Sequence, residues 1–182
     1  MRIQHLTAAL AVTASLAFAV PGWAQTAPSE DAPKQVLFVG NSYFYYNDSL
    51  HNHTRRMAGE GSGIDLDDLE FRSITISGGS LDMHPIEHYL TPGAIGYDAP
   101  FDLVVLQGNS AAADSEARST RFRNAVTAMD AKIKATGART ALYMTHAYAE
   151  GHPDYTPDGT ERLDALYTSV GKEIGATVIP VG

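Results

Sequence analysis

Cysteine is absent from the 182 residues. That excludes thiol catalysis, thiolate metal sites and a disulfide framework, and any metal site would have to be built from His, Asp or Glu. Positive charge is also scarce, with 13 Lys and Arg against 21 Asp and Glu and a formal net charge of −8. So acidic a surface repels nucleic acid and anionic membrane, and neither is expected as a partner. The N-terminal apolar run is too short for a comfortable membrane span, and nothing later approaches the ~18 consecutive apolar residues that mark one. The phosphate-cradling patterns G-x-x-x-x-G-K-[ST] and G-x-G-x-x-G after a strand are missing too, which leaves nucleotide binding without support.

What is present begins with one basic residue, Arg2, an uncharged Ala-, Leu- and Val-rich stretch from Leu6 to Val20, and then Pro21-Gly22-Trp23-Ala24. This has the layout of a secretory signal peptide, residues 1–24, cut near Ala24. The protein is therefore expected to be exported, to the periplasm or beyond. Residues 25–34 are polar, contain two prolines and lack periodicity, as a flexible linker does. Residues 35–182 then form one domain, long enough for a substantial core.

Five short apolar runs recur along that domain: Gln35 to Val39, Phe71 to Ile76, Phe101 to Leu106, Thr140 to Thr145 and Ala176 to Val181. Their continuous apolar character predicts strands buried on both faces. Helical periodicity separates them. Phe122, Val126, Met129 and Ile133 repeat before Gly137, Leu163, Leu166, Tyr167, Val170 and Ile174 repeat before Gly175, and Asp158 or Thr160 is placed to cap the second helix. A shorter helix is expected from about Ser49 to Gly59, capped by Asn47 or Asp48. Strands alternating with helices imply a doubly wound parallel sheet in a three-layer α/β/α sandwich.

In such a sheet ligands bind outside the carboxyl ends of the strands. The residues there are small and polar: Gly40-Asn41-Ser42, Ser77-Gly78-Gly79-Ser80, Gln107-Gly108-Asn109-Ser110 and His146. A hydroxyl on a strand-to-helix turn lies among backbone N–H groups and the positive end of the helix dipole, which suits a nucleophilic Ser42. Glycines let backbone amides approach a substrate, and a side-chain amide adds a neutral donor. The competing explanation is that Gly-Asn-Ser and Gly-Gly are turn chemistry alone.

Phe38 to Asp48, FVGNSYFYYND, resembles block I of the SGNH (GDSL-like) hydrolases, with Gly-Asn-Ser-Tyr in place of Gly-Asp-Ser-Leu. Gly78 to Leu81 (GGSL) resembles their block II and Val104 to Ser110 (VVLQGNS) their block III. The resemblance implies the flavodoxin-like SGNH fold with strand order 2-1-3-4-5. It also implies a serine esterase in which Ser42 is the nucleophile and its own N–H, Gly79 (or Gly78) and Asn109 hold the oxyanion. Block III departs from Gly-x-Asn-Asp, so Gln107 competes with Asn109 for that role. No cofactor is required, and a small-molecule or saccharide ester is the expected partner, carrying an acetyl or other short acyl group.

The family's Asp-x-x-His segment, which supplies base and orienting carboxylate after the fifth strand, does not occur in the 182 residues. The expectation is that the sequence stops short of it and that this chain is a weak catalyst, because serine needs a neighbouring base. Of the seven histidines, His146 at the active edge is the local substitute. His152 lies in the Gly/Pro-rich loop 149–159, which with Tyr148 and Tyr155 either lines a cleft or is plain surface.

Two other readings stand beside this one. His84-Pro85-Ile86-Glu87-His88 spells the H-x-x-E-H zinc pattern, although Pro85 and the Thr91-Pro92-Gly93 stop leave it little helix. Alternatively, the scaffold binds saccharides without catalysis, using Tyr43, Tyr45, Tyr46, Tyr148 and Tyr155.

Overall fold

The computed structural model describes residues 32–182; the expected signal peptide and residues 25–31 of the linker lie outside the described residues. Five strands form one parallel sheet: β1 Gln35–Gly40, β2 Glu70–Thr75, β3 Leu103–Gln107, β4 Arg139–Met144 and β5 Thr177–Pro180. Their order is β2-β1-β3-β4-β5, as expected. Five α-helices accompany them among the described residues: α1 Ser42–Tyr45, α2 Leu50–Ser62, α3 Ile86–Leu90, α4 Glu116–Ala135 and α5 Gly159–Ile174. Strand boundaries fall within two residues of the sequence expectation.

The period-2 alternation of each strand separates the core into two layers. Leu37 and Val39 of β1, Val104 and Leu106 of β3, and Leu142 and Met144 of β4 face α4 and α5, where Val126, Ile133, Leu163 and Val170 meet them. Val36 and Phe38, Val105 and Ala141 point the other way, toward Phe44, Leu69 and Phe71, with Leu50 and Ala58 of α2 packed alongside. Burying each such Val or Leu contributes roughly 1.5–3 kcal/mol, so β1, β3 and β4 are secured from both sides. β5 departs from the double-buried expectation: it is the sheet edge, and Thr177, Ile179 and Pro180 are exposed.

At the opposite end from the site, Asp102 Oδ2 accepts from the N–H groups of Lys34 and Gln35 at 2.8 and 2.9 Å, tying the start of β1 to β3. The turn from α1 to α2 differs from expectation. Asn47, Asp48 and Ser49 are all left-handed (φ 52°, 66° and 62°), and Ser49, without a side-chain cap bond, is the residue that precedes α2. Side chains of α2 fold back over this turn, with His53 Nε2 on the Asn47 carbonyl at 2.8 Å and Asn52 Nδ2 donating to the Asp48 carbonyl at 3.1 Å. Those bonds offset the backbone cost of three consecutive non-glycine residues at positive φ.

The strand order reverses direction between β1 and β3, and such a switch opens a crevice at the carboxyl edge. The segments Gly40-Asn41-Ser42 and Gly108-Asn109-Ser110 leave the sheet on either side of it.

Candidate active site

Ser42 is the first residue of α1. The first N–H groups of a helix have no intrahelical acceptor, so the Ser42 amide is open by position. Among the described residues neither that amide nor the Ser42 hydroxyl makes a hydrogen bond.

Asn41 holds this turn in place. It is 2 % exposed, and its three polar groups reach three segments. Its N–H donates to Gln107 Oε1 at 3.0 Å, its Oδ1 accepts from Tyr43 N–H at 3.3 Å as the α1 cap, and its Nδ2 donates to the carbonyls of Gly79 (3.1 Å) and Gly108 (3.3 Å). One buried side chain thus ties the loops after β1, β2 and β3 together. Gly40 and Gly108 are needed for closeness. A Cβ on Gly40 would stand 2.5 Å from Gln107 Oε1, and one on Gly108 would stand 2.6 Å from both the Phe122 ring and the Tyr167 oxygen.

The two amides offered for the third loop differ sharply in surroundings. Gln107 is 1 % exposed; its Oε1 is taken by Asn41 and its Nε2 by the Gly108 carbonyl. Asn109 is half-buried, accepts from Ala111 N–H at 2.8 Å, and spends its Nδ2 only on a 3.4 Å contact with the Gly78 carbonyl. Of the two, only Asn109 keeps donor capacity at the crevice.

Of the two glycines, Gly79 is buried and its N–H donates to the Ile76 carbonyl at 2.9 Å, closing a turn. Gly78 is exposed, adopts φ 64°, and has no acceptor for its N–H among the described residues. The open backbone donor on this loop is therefore Gly78.

His146 follows β4 and is exposed, with its ring edge-on to Tyr43 at 4.8 Å. Its Nδ1 lies 3.0 Å from the Ala147 carbonyl. A carbonyl can only accept, so Nδ1 carries the proton and Nε2 of the neutral ring is left as an acceptor. Among the described residues no carboxylate pairs with His146; His152 lies 3.9 Å from Asp154 and stacks on Tyr148 at 4.2 Å. Gly182 lies against the backbone of Thr145 and His146.

Sequence reasoning missed two structural supports of the site. Tyr167, read only as a core position of α5, is wholly buried, and its phenol oxygen accepts from Gly108 N–H at 3.0 Å. Burial pushes its phenol pKa upward, with the Gly108 bond opposing, so it stays a neutral anchor. Tyr43 shares a 2.6 Å hydroxyl contact with the buried Ser110. In both cases the polar tip of an aromatic in an apolar pattern was the available signal.

The H-x-x-E-H residues are spread around a five-residue α3. His84 is buried ahead of it with Nδ1 3.4 Å from Tyr89 hydroxyl and Nε2 unpaired, whereas Glu87 and His88 are exposed. Burial lowers the His84 pKa, and the Gly40 carbonyl works the other way. Among the described residues no group of three His, Asp or Glu side chains is arranged to hold a metal.

No family model and no curated protein matches this sequence. Solved structures do. A Slackia heliotrinireducens protein assigned to the SGNH hydrolases superposes with a TM-score of 0.60 at 24% identity, covering 79% of this chain and 76% of its own. The chain has the SGNH-hydrolase fold. AlinE4, an SGNH-hydrolase family esterase, is similar at TM-score 0.60 and 14% identity over 81% of this chain and 76% of that one. The acetyl xylan esterase AlAXEase is similar at TM-score 0.57 and 13% identity over 79% and 75%. In the SGNH fold found here, the three sequence blocks occupy the loops after β1, β2 and β3 and meet at Asn41.

Proposed function

We propose that this protein is an exported esterase of the SGNH type that cleaves short acyl esters, acetyl first among them, through an acyl-enzyme on Ser42. One observation carries the reading: an unbonded hydroxyl at the start of α1, on the crevice between β1 and β3, with open amides on Ser42 and Gly78 and the Asn109 side chain, whose Nδ2 makes one long contact of 3.4 Å with the Gly78 carbonyl. Donors fixed before the reaction stabilise charge developing on a carbonyl oxygen without reorganising, and each is typically worth about 2.7–4 kcal/mol of barrier.

In the first step Ser42 Oγ bonds to the ester carbonyl carbon while its proton passes to a base. The tetrahedral intermediate then collapses, the C–O bond to the alcohol breaks, and the alcohol leaves with that proton. In the second step water attacks the acyl carbon, and the acid departs as Ser42 recovers its proton. Within this sequence the reading assigns the base to His146, whose Nε2 is the acceptor nitrogen of the ring. The fold relatives named as esterases support the reaction class, and AlAXEase supports an acetyl ester on carbohydrate. Exposed Tyr46 (62 %) and Tyr155 (40 %) support a rival reading as a saccharide-binding protein without turnover.

The test is covalent labelling with a fluorophosphonate together with p-nitrophenyl acetate hydrolysis. Both should be lost in Ser42→Ala. Labelling that persists unchanged in that variant removes the assignment, and saccharide binding without any ester turnover favours the rival. His146→Ala should lower kcat by several decades, since nucleophile and base act as a unit; an unchanged kcat takes the base role from His146.

A further inference from the structure

Beside the Ser42 edge lies a cleft of about 280 Å³, whose mouth is shared with the site through Gly78, Gly108 and Asn109. Leu81, Ala112 and Phe122 give it an apolar floor, and Arg118 and Arg121 of α4 stand at its rim. That volume is at the small end for ligand sites, enough for a few carbon atoms and one polar terminus rather than a long acyl chain.

Its charges do not cancel. Arg121 is committed to Asp82, with Nε and a terminal guanidinium nitrogen 2.8 and 2.7 Å from the same Oδ2. Burial works to raise the Asp82 carboxyl, but hydrogen bonds from Arg121 and Ser80 outweigh it and hold the group below the ordinary carboxylate range. Asp82 is therefore ionised and neutralises Arg121. Arg118 is exposed and forms no ion pair among the described residues. The nearby acids are engaged elsewhere: Asp114 with Arg162 at 3.8 Å, and Glu116 with the Thr120 hydroxyl at 3.4 Å. In a chain of net charge −8, an exposed guanidinium without an ion pair over a partly apolar cleft that shares Gly78 and Asn109 with the candidate site offers a positive rim that a carboxylate can meet.

We infer that this cleft receives a carboxylate carried a few atoms from the scissile ester, and that Arg118 is the residue that selects for it. A guanidinium fork matches a carboxylate geometrically, and the floor of Leu81 and Phe122 takes the intervening methylenes. The carboxylate belongs either to the acyl group, as in a dicarboxylic half-ester, or to the alcohol.

The inference rests on the esterase reading of the same edge, so its test includes a binding arm that needs no turnover. The Ser42→Ala protein is titrated with monomethyl succinate against dimethyl succinate, and with 3-acetoxypropanoate against its methyl ester. The acid of at least one pair should bind about tenfold tighter than its neutral partner, with a preference that shrinks as salt rises. The responding pair identifies which side of the ester carries the charge. In Ser42→Ala/Arg118→Gln the preference should fall to near unity, and Arg118→Lys should keep part of it. Equal binding of acid and neutral ester, no binding of either, or a preference that survives Arg118→Gln overturns the inference. A full preference in a wild-type protein that turns over neither ester would overturn the esterase reading alone.

Discussion

Replacing Asn41 tests how the crevice is held together. Asn41→Ala removes the α1 cap on Tyr43 N–H and strips the Gly79 carbonyl of its donor, while the Gly108 carbonyl still meets Gln107 Nε2. A lost cap costs about 1 kcal/mol. A buried acceptor left unsatisfied costs a further ~1–3 kcal/mol. The expected loss is therefore about 2–4 kcal/mol, on the order of 10 °C in Tm for a domain of this size. Asn41→Asp sharpens the argument, because it keeps the capping oxygen but turns a carboxylate oxygen toward two carbonyls in a site 2 % exposed. Burial and that repulsion raise the folded carboxyl pKa above its unfolded value of about 3.9. Stability that the protonated form retains is then lost as pH rises through the folded value. Urea unfolding followed by circular dichroism should show Asn41→Asp nearest to the wild type around pH 4 and furthest from it at pH 8. A wild-type urea midpoint for Asn41→Asp at pH 8, or a loss under about 0.5 kcal/mol for Asn41→Ala, would refute the view that this side chain ties the three loops.

Gly108→Ala should destabilise by about 1–3 kcal/mol through overpacking against Phe122 and Tyr167, read as a lower urea midpoint; an unchanged midpoint would mean that α4 and α5 yield freely there. His84 has a folded pKa depressed by burial, so the unfolded chain binds its proton first and stability should fall as pH drops below about 6.5. His51, also lowered by burial against the pull of Asp48, adds the same sign, so His84→Gln should shrink this slope in a pH series of unfolding curves rather than abolish it. Chelation with EDTA should leave ester turnover unchanged; activity lost on chelation and restored by zinc would revive the H-x-x-E-H reading.

Much of the framework is a local property and is legible in the chain. The apolar runs at β1, β3 and β4 and the helical repeats of α4 and α5 specify a parallel sheet with helices on both faces, because each face of a central strand must be covered. Gly40-Asn41-Ser42 after β1 marks the crevice edge for the same reason: in a doubly wound sheet, loops at the carboxyl ends open onto the crevice. Which donor is left open at each loop is not legible, since it depends on which hydrogen bonds the folded backbone has already made. Gln107 and Asn109 are two residues apart, yet β3 turns Gln107 inward to Asn41, 66 residues away, and leaves Asn109 at the opening. Gly78 and Gly79 are adjacent, but the turn closed on Ile76 occupies one amide and leaves the other open. The Tyr167 bond to Gly108 depends likewise on α5 packing over backbone 59 residues away, whereas the left-handed run at Asn47, Asp48 and Ser49 is held by α2 side chains close in sequence, Asn52 and His53. Residue type sets what a side chain can donate or accept, but only the packed fold decides which of those capacities are already spent.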